Sequence, residues 1–481
     1  MLYLRKTLLF SFIAAYLILC PLLLLYSFGR IMRPGGEGDL AGLIFLSSSP
    51  PGATIHVEGR RFTEKTPAAL SGMLPGSYDV TLSLKNYKPW HYKITALPKL
   101  ASVFDKILLI PQRWVTRELS SDSFQKLIPL SGSRFFILAK GPKLRDYYSF
   151  DSKSEALTSF VRSDSTLANY EVVSLFKIKE SSTVIARVRN FNGEKYLLIE
   201  QDIDYVNVKD ISRFFTGSPE HIIWEPGQSR YFFPFENNSL SKIDLIEQSL
   251  EADYIDNLRG YGLFNNKIYV LKEINTLFRI NYARRNQKVL INDPILGKFL
   301  FGDKGFFEVK PLDEDLIIFL GEEGKLLSNH LPHRITESGV RGLEFHRKTK
   351  RVLFWMKKQA GIMDYRPLLA VDPTYVKTTP TKGYWFYTKG RDITQSFWAY
   401  QGTYIVLADA DEVFIFELKA EGEAAPNQII KIKTNSSVHY LEDNGKLYYL
   451  DALTKKLSCA EVIDLNRERP FSYREYLSKK R

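Results

Sequence analysis

The pattern of apolar and polar positions divides the chain into three parts. Thr7 to Phe28 is a run of 22 residues without a charged side chain. From Gly42 to Trp90, apolar and polar residues alternate between turns that contain Pro and Gly. From Pro111 onward, short apolar segments recur, separated by polar turns. An unbroken apolar run predicts a membrane helix, and alternation with period two predicts strands. The pattern therefore predicts a mainly β protein that follows one apolar helix.

The first apolar run predicts a transmembrane helix over residues 7–28. At about 1.5 Å per residue it spans roughly 33 Å, enough for a bilayer core of about 30 Å. A signal anchor is the preferred interpretation, because the apolar cores of signal peptides usually have only about 7–15 residues. A cleaved signal peptide is the alternative, with Ser27-Phe28-Gly29 as a weak cleavage site. Long domains translocate largely regardless of their charge, so we expect residues 1–6 in the cytoplasm and the bulk of the chain in the periplasm or outside the cell.

After a linker over residues 29–41, the pattern predicts a small β sandwich over residues 42–110. Leu43–Leu46 is apolar, and Ala53–Val57 alternates so that its apolar residues share one face. Tyr78–Leu84 has the same period of two. Pro and Gly occupy the turns between these segments, where Pro presets φ and Gly tolerates positive φ.

The turns of this small module resemble those of the PEGA domain family. The resemblance is carried by Ser49-Pro50-Pro51-Gly52-Ala53, Val57-Glu58-Gly59, Thr66-Pro67 and Leu74-Pro75-Gly76-Ser77-Tyr78. The chain departs from the family pattern at Pro51, where the family has its namesake glutamate, and before Thr66, where no glycine stands. The resemblance implies a small extracellular or envelope module of bacteria or archaea, often near a membrane anchor and without known catalytic residues.

Residues 111–465 repeat one theme, a short apolar strand followed by a polar turn and a second strand. The strand centres are 36 to 51 residues apart and lie at Phe136, Ile185, Phe232, Tyr269, Ile318, Phe354, Ile405 and Tyr448. A period of about 40–50 residues with several strands per repeat is typical of a β-propeller. We therefore predict seven or eight blades, with an irregular stack of β sandwiches as the alternative. A basic tail over residues 466–481 follows.

Composition agrees with a β-rich chain and narrows the class of protein. Aromatic residues make up 14% of the chain, with 27 Tyr and 32 Phe, and these residues favour strands. The two cysteines lie in the apolar run and near the carboxyl end, which excludes a disulfide framework. The net charge of +12 is spread along the chain. A solvated basic surface is the simpler interpretation, attraction to anionic lipids or polymers is the alternative, and a membrane address argues against nucleic acid.

Motifs for catalysis or metal binding are weak. The sequence has no nucleophile elbow, phosphate-binding Gly-rich loop or dinucleotide fingerprint, so we predict no catalytic residue and no cofactor. His330 and His333 are close in sequence, but no third metal ligand follows nearby. The acidic run Asp409-Ala410-Asp411-Glu412 lacks the glycine and the distal glutamate of a calcium loop, and we interpret it as a hairpin turn.

One aromatic and basic stretch is the candidate binding surface. It contains Tyr384, Trp385, Phe386, Tyr387, Lys389 and Arg391. Aromatic rings beside cations can bind sugars and other flat ligands. The alternative interpretation is an additional core strand. Replacing Trp385 with alanine separates the two, because loss of folding indicates a core strand and loss of binding alone indicates a site.

These features predict a single-pass membrane protein of the bacterial cell envelope. We expect a non-catalytic scaffold or recognition protein that binds an envelope protein or a cell-wall or surface polymer, since a propeller presents loops on a rigid body. One alternative is an envelope hydrolase or lyase with a propeller site that no sequence motif reveals. Another is a subunit of a secretion or signalling assembly.

Overall fold

The computed structural model divides the chain into two compact units, each with its own apolar core. One unit contains Met1–Trp114 with Ile463–Arg481, and the other contains Val115–Val462. The structure describes residues 41–463 with gaps, and scattered positions between 12 and 40 and between 472 and 478. The gaps cover residues 131, 163–164, 179, 203–204, 226–229, 273–275, 283–287, 292–293, 302–304, 315, 331–332, 366–382 and 419–423.

The predicted transmembrane helix lies mostly outside the described residues. Within residues 7–28, the described positions are helical and are Phe12, Ala15, Tyr16, Leu17, Leu19 and Cys20. The side chains of Phe12 and Tyr16 are 71% and 68% exposed. In the part of the chain that the structure describes, no helix is both long enough and apolar enough to cross a membrane. The membrane helix therefore stays a prediction from the sequence.

The first unit contains a small sandwich of two β-sheets. Its strands are β1 (Arg30–Ile31), β2 (Asp39–Leu40), β3 (Gly42–Ser49), β4 (Thr54–Val57), β5 (Arg60–Lys65), β6 (Ala68–Met73), β7 (Gly76–Ser83), β8 (Trp90–Ala96) and β9 (Ala101–Leu108). One sheet has the order β6-β3-β9, with β3 and β9 parallel, and the other has the order β5-β4-β7-β8. Ile55, Val57, Val80 and Leu82 are buried in the core between the sheets. The alternation predicted for β4 and β7 is confirmed.

Two of the segments that resemble the PEGA family are joined by hydrogen bonds. Thr66 Oγ1 accepts a hydrogen bond from the backbone N–H of Ala53 at 3.0 Å and lies 2.6 Å from Ser48 Oγ. The backbone N–H of Gly52 donates to the carbonyl of Thr66 at 2.7 Å. Ser48 and Thr66 are buried, so these hydrogen bonds do not compete with water and each lost partner would be costly. The spacing of the two segments along the sequence thus reflects the buried hydrogen bonds that join them in the fold.

The second unit is a β-propeller, with eight four-stranded blades among its described residues. It begins with β10 (Thr116–Ser123). Blade 1 contains β11 (Lys126–Pro129), β12 (Phe135–Ala139), β13 (Tyr147–Asp151) and β14 (Ala156–Ser159), and blade 2 contains β15 (Glu171–Lys177), β16 (Thr183–Asn190), β17 (Gly193–Gln201) and β18 (Val206–Asp210). Blade 3 contains β19 (His221–Ile223), β20 (Tyr231–Glu236), β21 (Ser239–Asp244) and β22 (Ser249–Ile255), and blade 4 contains β23 (Leu258–Phe264), β24 (Lys267–Lys272), β25 (Thr276–Asn281) and β26 (Lys288–Ile291).

The remaining blades continue in chain order. Blade 5 contains β27 (Phe307–Pro311), β28 (Ile317–Gly321), β29 (Leu326–Ser328) and β30 (Arg334–Thr336), and blade 6 contains β31 (Gly342–His346), β32 (Arg351–Trp355), β33 (Ala360–Asp364) and β34 (Gly383–Tyr387). Blade 7 contains β35 (Ile393–Ala399), β36 (Tyr404–Asp409), β37 (Glu412–Glu417) and β38 (Asn427–Lys431), and blade 8 contains β39 (His439–Leu441), β40 (Lys446–Leu450) and β41 (Lys456–Glu461) with β10. A helix, α1 (Pro294–Phe301), lies between blades 4 and 5.

The predicted repeat is confirmed and has a simple structural meaning. Each of the eight predicted strand centres falls in the second strand of a different blade, from Phe136 in β12 to Tyr448 in β40. Both of these side chains are fully buried. A strand in the middle of a blade is covered on both faces, so its sequence is apolar throughout and stands out from its neighbours.

Blade 8 takes strands from both ends of the unit. β39, β40 and β41 come from the end of the unit, and β10 from its start pairs antiparallel with β41. β10 is polar and largely exposed, and Glu118 accepts a hydrogen bond from Lys456 Nζ of β41 at 2.8 Å. Such closure joins the two ends of the propeller, and each blade keeps only a short outer edge.

Blades 4 and 5 are joined by a direct pairing of their first strands. β23 pairs in parallel with β27, and Gly260 lies opposite Phe307. A Cβ atom at Gly260 would overlap the carbonyl of Phe307, and one at Gly262 would overlap the carbonyl of Val309. The two glycines therefore permit an approach of the two backbones that any other residue would block.

Candidate binding site

The first strands of the blades lie beside one another and surround a cavity. β11 lies beside β39, β15 beside β19, and β31 beside β35. The cavity has a volume of about 230 Å³, and its lining comes from β11, β15, β27, β31, β32 and β35 with the residues next to them. At roughly 30 Å³ per water in the liquid, it has room for about eight water molecules.

Lys177, the last residue of β15, is the most unusual charged group of the lining. Its ammonium donates a hydrogen bond to the carbonyl of Pro129 at 3.1 Å. The side chain lines the cavity and is exposed, and its partial desolvation by nearby protein atoms lowers the pKa of Lys177. No carboxylate contributes to that pKa shift. Lys177 therefore has no ion-pair partner among the described residues, although the carboxylate of Glu344 lines the same cavity.

The other charged groups of the lining already have partners. The ammonium of Lys310 lies 2.5 Å from a carboxylate oxygen of Glu308. Glu344 Oε2 accepts a hydrogen bond from the backbone N–H of Trp398 at 3.0 Å. These contacts compensate part of the cost of holding the two charges beside a cavity.

The rest of the lining combines apolar side chains with unpaired polar atoms. Leu130, Leu343 and Phe397 contribute apolar surface. Ser396 Oγ and Trp355 Nε1 are buried and have no hydrogen-bond partner among the residues that the structure describes. Ligand sites are typically lined by apolar residues with a few convergent polar groups, and buried polar atoms without partners are unusual enough to need an explanation. The cavity has both features.

The aromatic stretch predicted as a binding surface forms β34, the last strand of blade 6. Phe386 is fully buried, and its ring centroid lies 5.4 Å from that of Phe416 in blade 7. Tyr387 is 9% exposed, and its hydroxyl donates to Asp409 Oδ2 at 3.3 Å. Burial and then the charge of Asp409 raise the pKa of Tyr387 to about 12. These two side chains pack in the core between blades 6 and 7, which fits the alternative of a core strand, and their predicted binding role is not tested.

The other members of the stretch lie nearer the surface. Tyr384 and Trp385 are half-buried, and the ring of Trp385 meets that of Phe354 at 5.1 Å. Lys389 is exposed. Arg391 is also exposed, and its guanidinium donates to Asp411 at 2.7 Å and to Glu412 at 2.8 Å. A binding role for Tyr384, Trp385, Lys389 and Arg391 stays a prediction, and residues 366–382 just before them lie outside the described part of the chain.

The acidic run is a hairpin turn between β36 and β37, as predicted. Asp409 pairs with Glu412 across the turn, and Ala410 has a φ of +56°. The Asp409 carboxylate accepts the backbone N–H groups of Arg391 and Asp392 at 2.9 and 2.6 Å. This carboxylate therefore connects the start of blade 7 to its own second strand, which is a structural role.

The histidine pair shows no sign of a metal site. His333 is 9% exposed, and its Nδ1 lies 3.1 Å from the carbonyl of Ser328. The backbone N–H of His330 donates to Ser328 Oγ at 3.1 Å. Among the residues that the structure describes, no group of three His, Cys, Asp or Glu side chains could hold a metal ion.

The fold defines the class of protein: along the chain, a small β sandwich is followed by an eight-bladed β-propeller. The sequence profile of the PEGA domain matches residues 41–100, so the sandwich is a PEGA domain. The similarity covers this part of the chain and does not extend to the propeller. No curated protein matches the chain.

The solved structures that this chain resembles include a β-propeller domain and two further proteins. The β-propeller domain of Cps50 (Swd1) from Myceliophteria thermophila is 13% identical with a TM-score of 0.41, over 73% of this chain and 99% of that one. Hsv2 from Kluyveromyces lactis is 6% identical with a TM-score of 0.40, over 63% and 98%. PorZ from Porphyromonas gingivalis, a bacterial surface component of the type-IX secretion system, is 13% identical with a TM-score of 0.35, over 70% and 42%. No functional conclusion follows from likenesses of this size.

Proposed function

We propose that this chain is a membrane-anchored recognition or scaffold protein of the bacterial cell envelope. Residues 7–28 would anchor it, with residues 1–6 in the cytoplasm and both units in the periplasm or outside the cell. The observation that carries the proposal is the PEGA domain at residues 41–100, which follows, after a short linker, an uncharged apolar run long enough to span a bilayer. The partner would be an envelope protein or a cell-wall or surface polymer.

Binding fits the cavity better than catalysis does. Glu344 lines the cavity, but its Oε2 already accepts a hydrogen bond from the backbone N–H of Trp398. The two lysines of the lining, Lys177 and Lys310, outnumber this carboxylate. Hydrolysis of glycosidic bonds commonly uses two carboxyl groups that face each other across the substrate. A PEGA domain and a propeller are both common as binding modules, and the loops of a propeller can vary while its strands stay rigid.

The topology is tested with reporter fusions to the full chain. A carboxyl-terminal phosphatase reporter, active only outside the cytoplasm, should be active, and the protein should stay in membranes after carbonate washing. As a matched control, Leu17→Arg with Leu19→Arg places two charges in the apolar run and should abolish both results, since each charge costs about 3 kcal/mol in a membrane helix. An active cytoplasmic reporter at the carboxyl end would contradict the proposed orientation.

The partner class is tested with the detergent-solubilised full chain. Co-sedimentation with purified cell walls would indicate a polymer, and cross-linking in intact cells followed by purification would indicate a protein. Lys389→Ala combined with Arg391→Ala should weaken either association if the exposed part of the predicted surface takes part. Absence of both associations would contradict a recognition role.

A further inference from the structure

We propose that the cavity of the propeller binds a small organic carboxylate, with Lys177 pairing with the carboxylate group and the apolar lining covering the rest of the ligand. This inference goes beyond the proposed function, because it concerns the second unit alone. It does not depend on the membrane side, on the anchor or on the envelope partner, and it can fail while those proposals hold.

The charge balance of the lining points to an anion at Lys177. The neighbouring carboxylates are engaged elsewhere, Glu308 with Lys310 and Glu344 with the backbone N–H of Trp398. The single hydrogen bond of the Lys177 ammonium goes to a neutral carbonyl, that of Pro129. Among the described residues the ammonium of Lys177 has no ion-pair partner, and a bound anion would supply one in a charge-assisted hydrogen bond.

The remaining lining fits the body and the acceptor atoms of such a ligand. Leu130, Ile178, Leu343 and Phe397 offer apolar surface around the lysine. The Ser396 side chain is 2% exposed and its hydroxyl has no partner. Ser396 and Trp355 line the cavity, and their buried donors Oγ and Nε1 would need a side-chain rotation to reach an acceptor of the ligand.

A carboxylate fits this site better than a phosphate. A carboxylate carries a single negative charge, which one ammonium balances, whereas a phosphate monoester carries about −1.5 to −2 at neutral pH. The second charge would have no partner and would face the carboxylate of Glu344, which lines the same cavity. An apolar wall also favours an organic acid with a carbon body over an inorganic anion.

The experiment is a titration of the full chain in detergent with benzoate, followed by tryptophan fluorescence. Trp355 lines the cavity and should report binding, and loss of the signal in Trp355→Phe assigns it among the six tryptophans. Benzoate should bind with saturation. Benzamide, which has the same shape without the charge, should bind at least tenfold more weakly, because a charge-assisted hydrogen bond is lost. Acetate should also bind more weakly, because it lacks the apolar body.

A matched pair of lysine variants separates the site from general charge effects. Lys177→Met should weaken benzoate binding at least tenfold. Lys433 is the control: its ammonium also donates to a carbonyl, that of Gln125 at 2.6 Å, burial also lowers its pKa, and it does not line the cavity. Lys433→Met should leave the affinity unchanged. If Lys177→Met does not fold, Lys177→Arg, which keeps the charge, should bind benzoate while Ser396→Ala weakens it.

Three results would overturn the proposal. The first is no saturable binding of benzoate up to about 10 mM. The second is equal affinity for benzoate and benzamide, or equal affinity of the wild type and Lys177→Met, because the lysine would then play no part. The third is tighter competition by inorganic phosphate than by benzoate, which would assign the site to a different anion.

Discussion

His439, the first residue of β39, is a buried histidine beside the seam where the propeller closes. Its Nε2 donates a hydrogen bond to the carbonyl of Ser133 at 2.9 Å, and its Nδ1 is buried without a partner in the described part of the chain. The ring lies 5.0 Å from that of Phe136. Burial, with a contribution from the charge of Lys177, lowers the pKa of His439 to about 4. The folded propeller therefore holds this imidazole neutral.

The low pKa of His439 predicts that the propeller loses stability as the pH falls from about 6.5 to about 4. In this window the unfolded chain binds a proton at His439 and the folded chain does not, so the unfolding free energy decreases with falling pH. At pH 4 the loss amounts to about 3 kcal/mol. His439→Gln keeps a donor but does not titrate, so its melting temperature should depend less on pH. Parallel pH profiles of the wild type and the variant would contradict this assignment.

Single residues were the least predictable from the sequence. His439 is one of seven scattered histidines, and nothing in its neighbours indicates that it is buried. Lys177 follows an ordinary strand sequence and becomes part of a cavity only because strands from five blades meet around it. Functional groups in a propeller come from positions far apart in sequence, so no local motif could reveal them.

The pairing of β23 with β27 predicts a strong effect of adding one methyl group at Gly262. The Cβ of Gly262→Ala would overlap the carbonyl of Val309, so the two strands must separate or strain. The cost should be about 1–3 kcal/mol, measured as a lower melting temperature of the propeller. Gly305→Ala is the control, because its Cβ would meet only a Glu322 side chain, at 3.5 Å. Equal melting temperatures of the two variants would contradict the close approach.

Strands in the middle of blades were predictable, and strands at their edges were not. The second strands are apolar on both faces, so their spacing revealed the propeller. β10 is polar because it is the outermost strand of blade 8, and its sequence does not differ from that of a loop. β34 shows the opposite difficulty. Its aromatic residues suggested a binding surface, but Phe386 and Tyr387 pack between two blades, and only the fold determines which side of each ring is covered.

At the scale of the whole molecule, the division into two units does not follow the order of the chain. The propeller ends at Val462, and the residues after it belong to the same unit as the PEGA domain. Phe45 in β3 is fully buried although Ile44 and Leu46 beside it face the sandwich core. The ring of Tyr473 lies 5.2 Å from that of Phe45. Tyr473, in the tail predicted only as a basic segment, thus packs on the outer face of the sheet that contains β3.

This contact predicts that removing residues 464–481 destabilises the PEGA domain and leaves the propeller unchanged. Exposing Phe45 should cost about 2 kcal/mol, which lowers the melting temperature of so small a domain by roughly 10 °C. Calorimetry of the full chain and the truncated chain should show that one transition moves and the other stays. Tyr473→Ala should shift the same transition by less, and Tyr205→Ala, which removes a ring that is 58% exposed in the propeller, should shift neither. A shift of the propeller transition on truncation would contradict the prediction that residues 464–481 stabilise the PEGA domain alone.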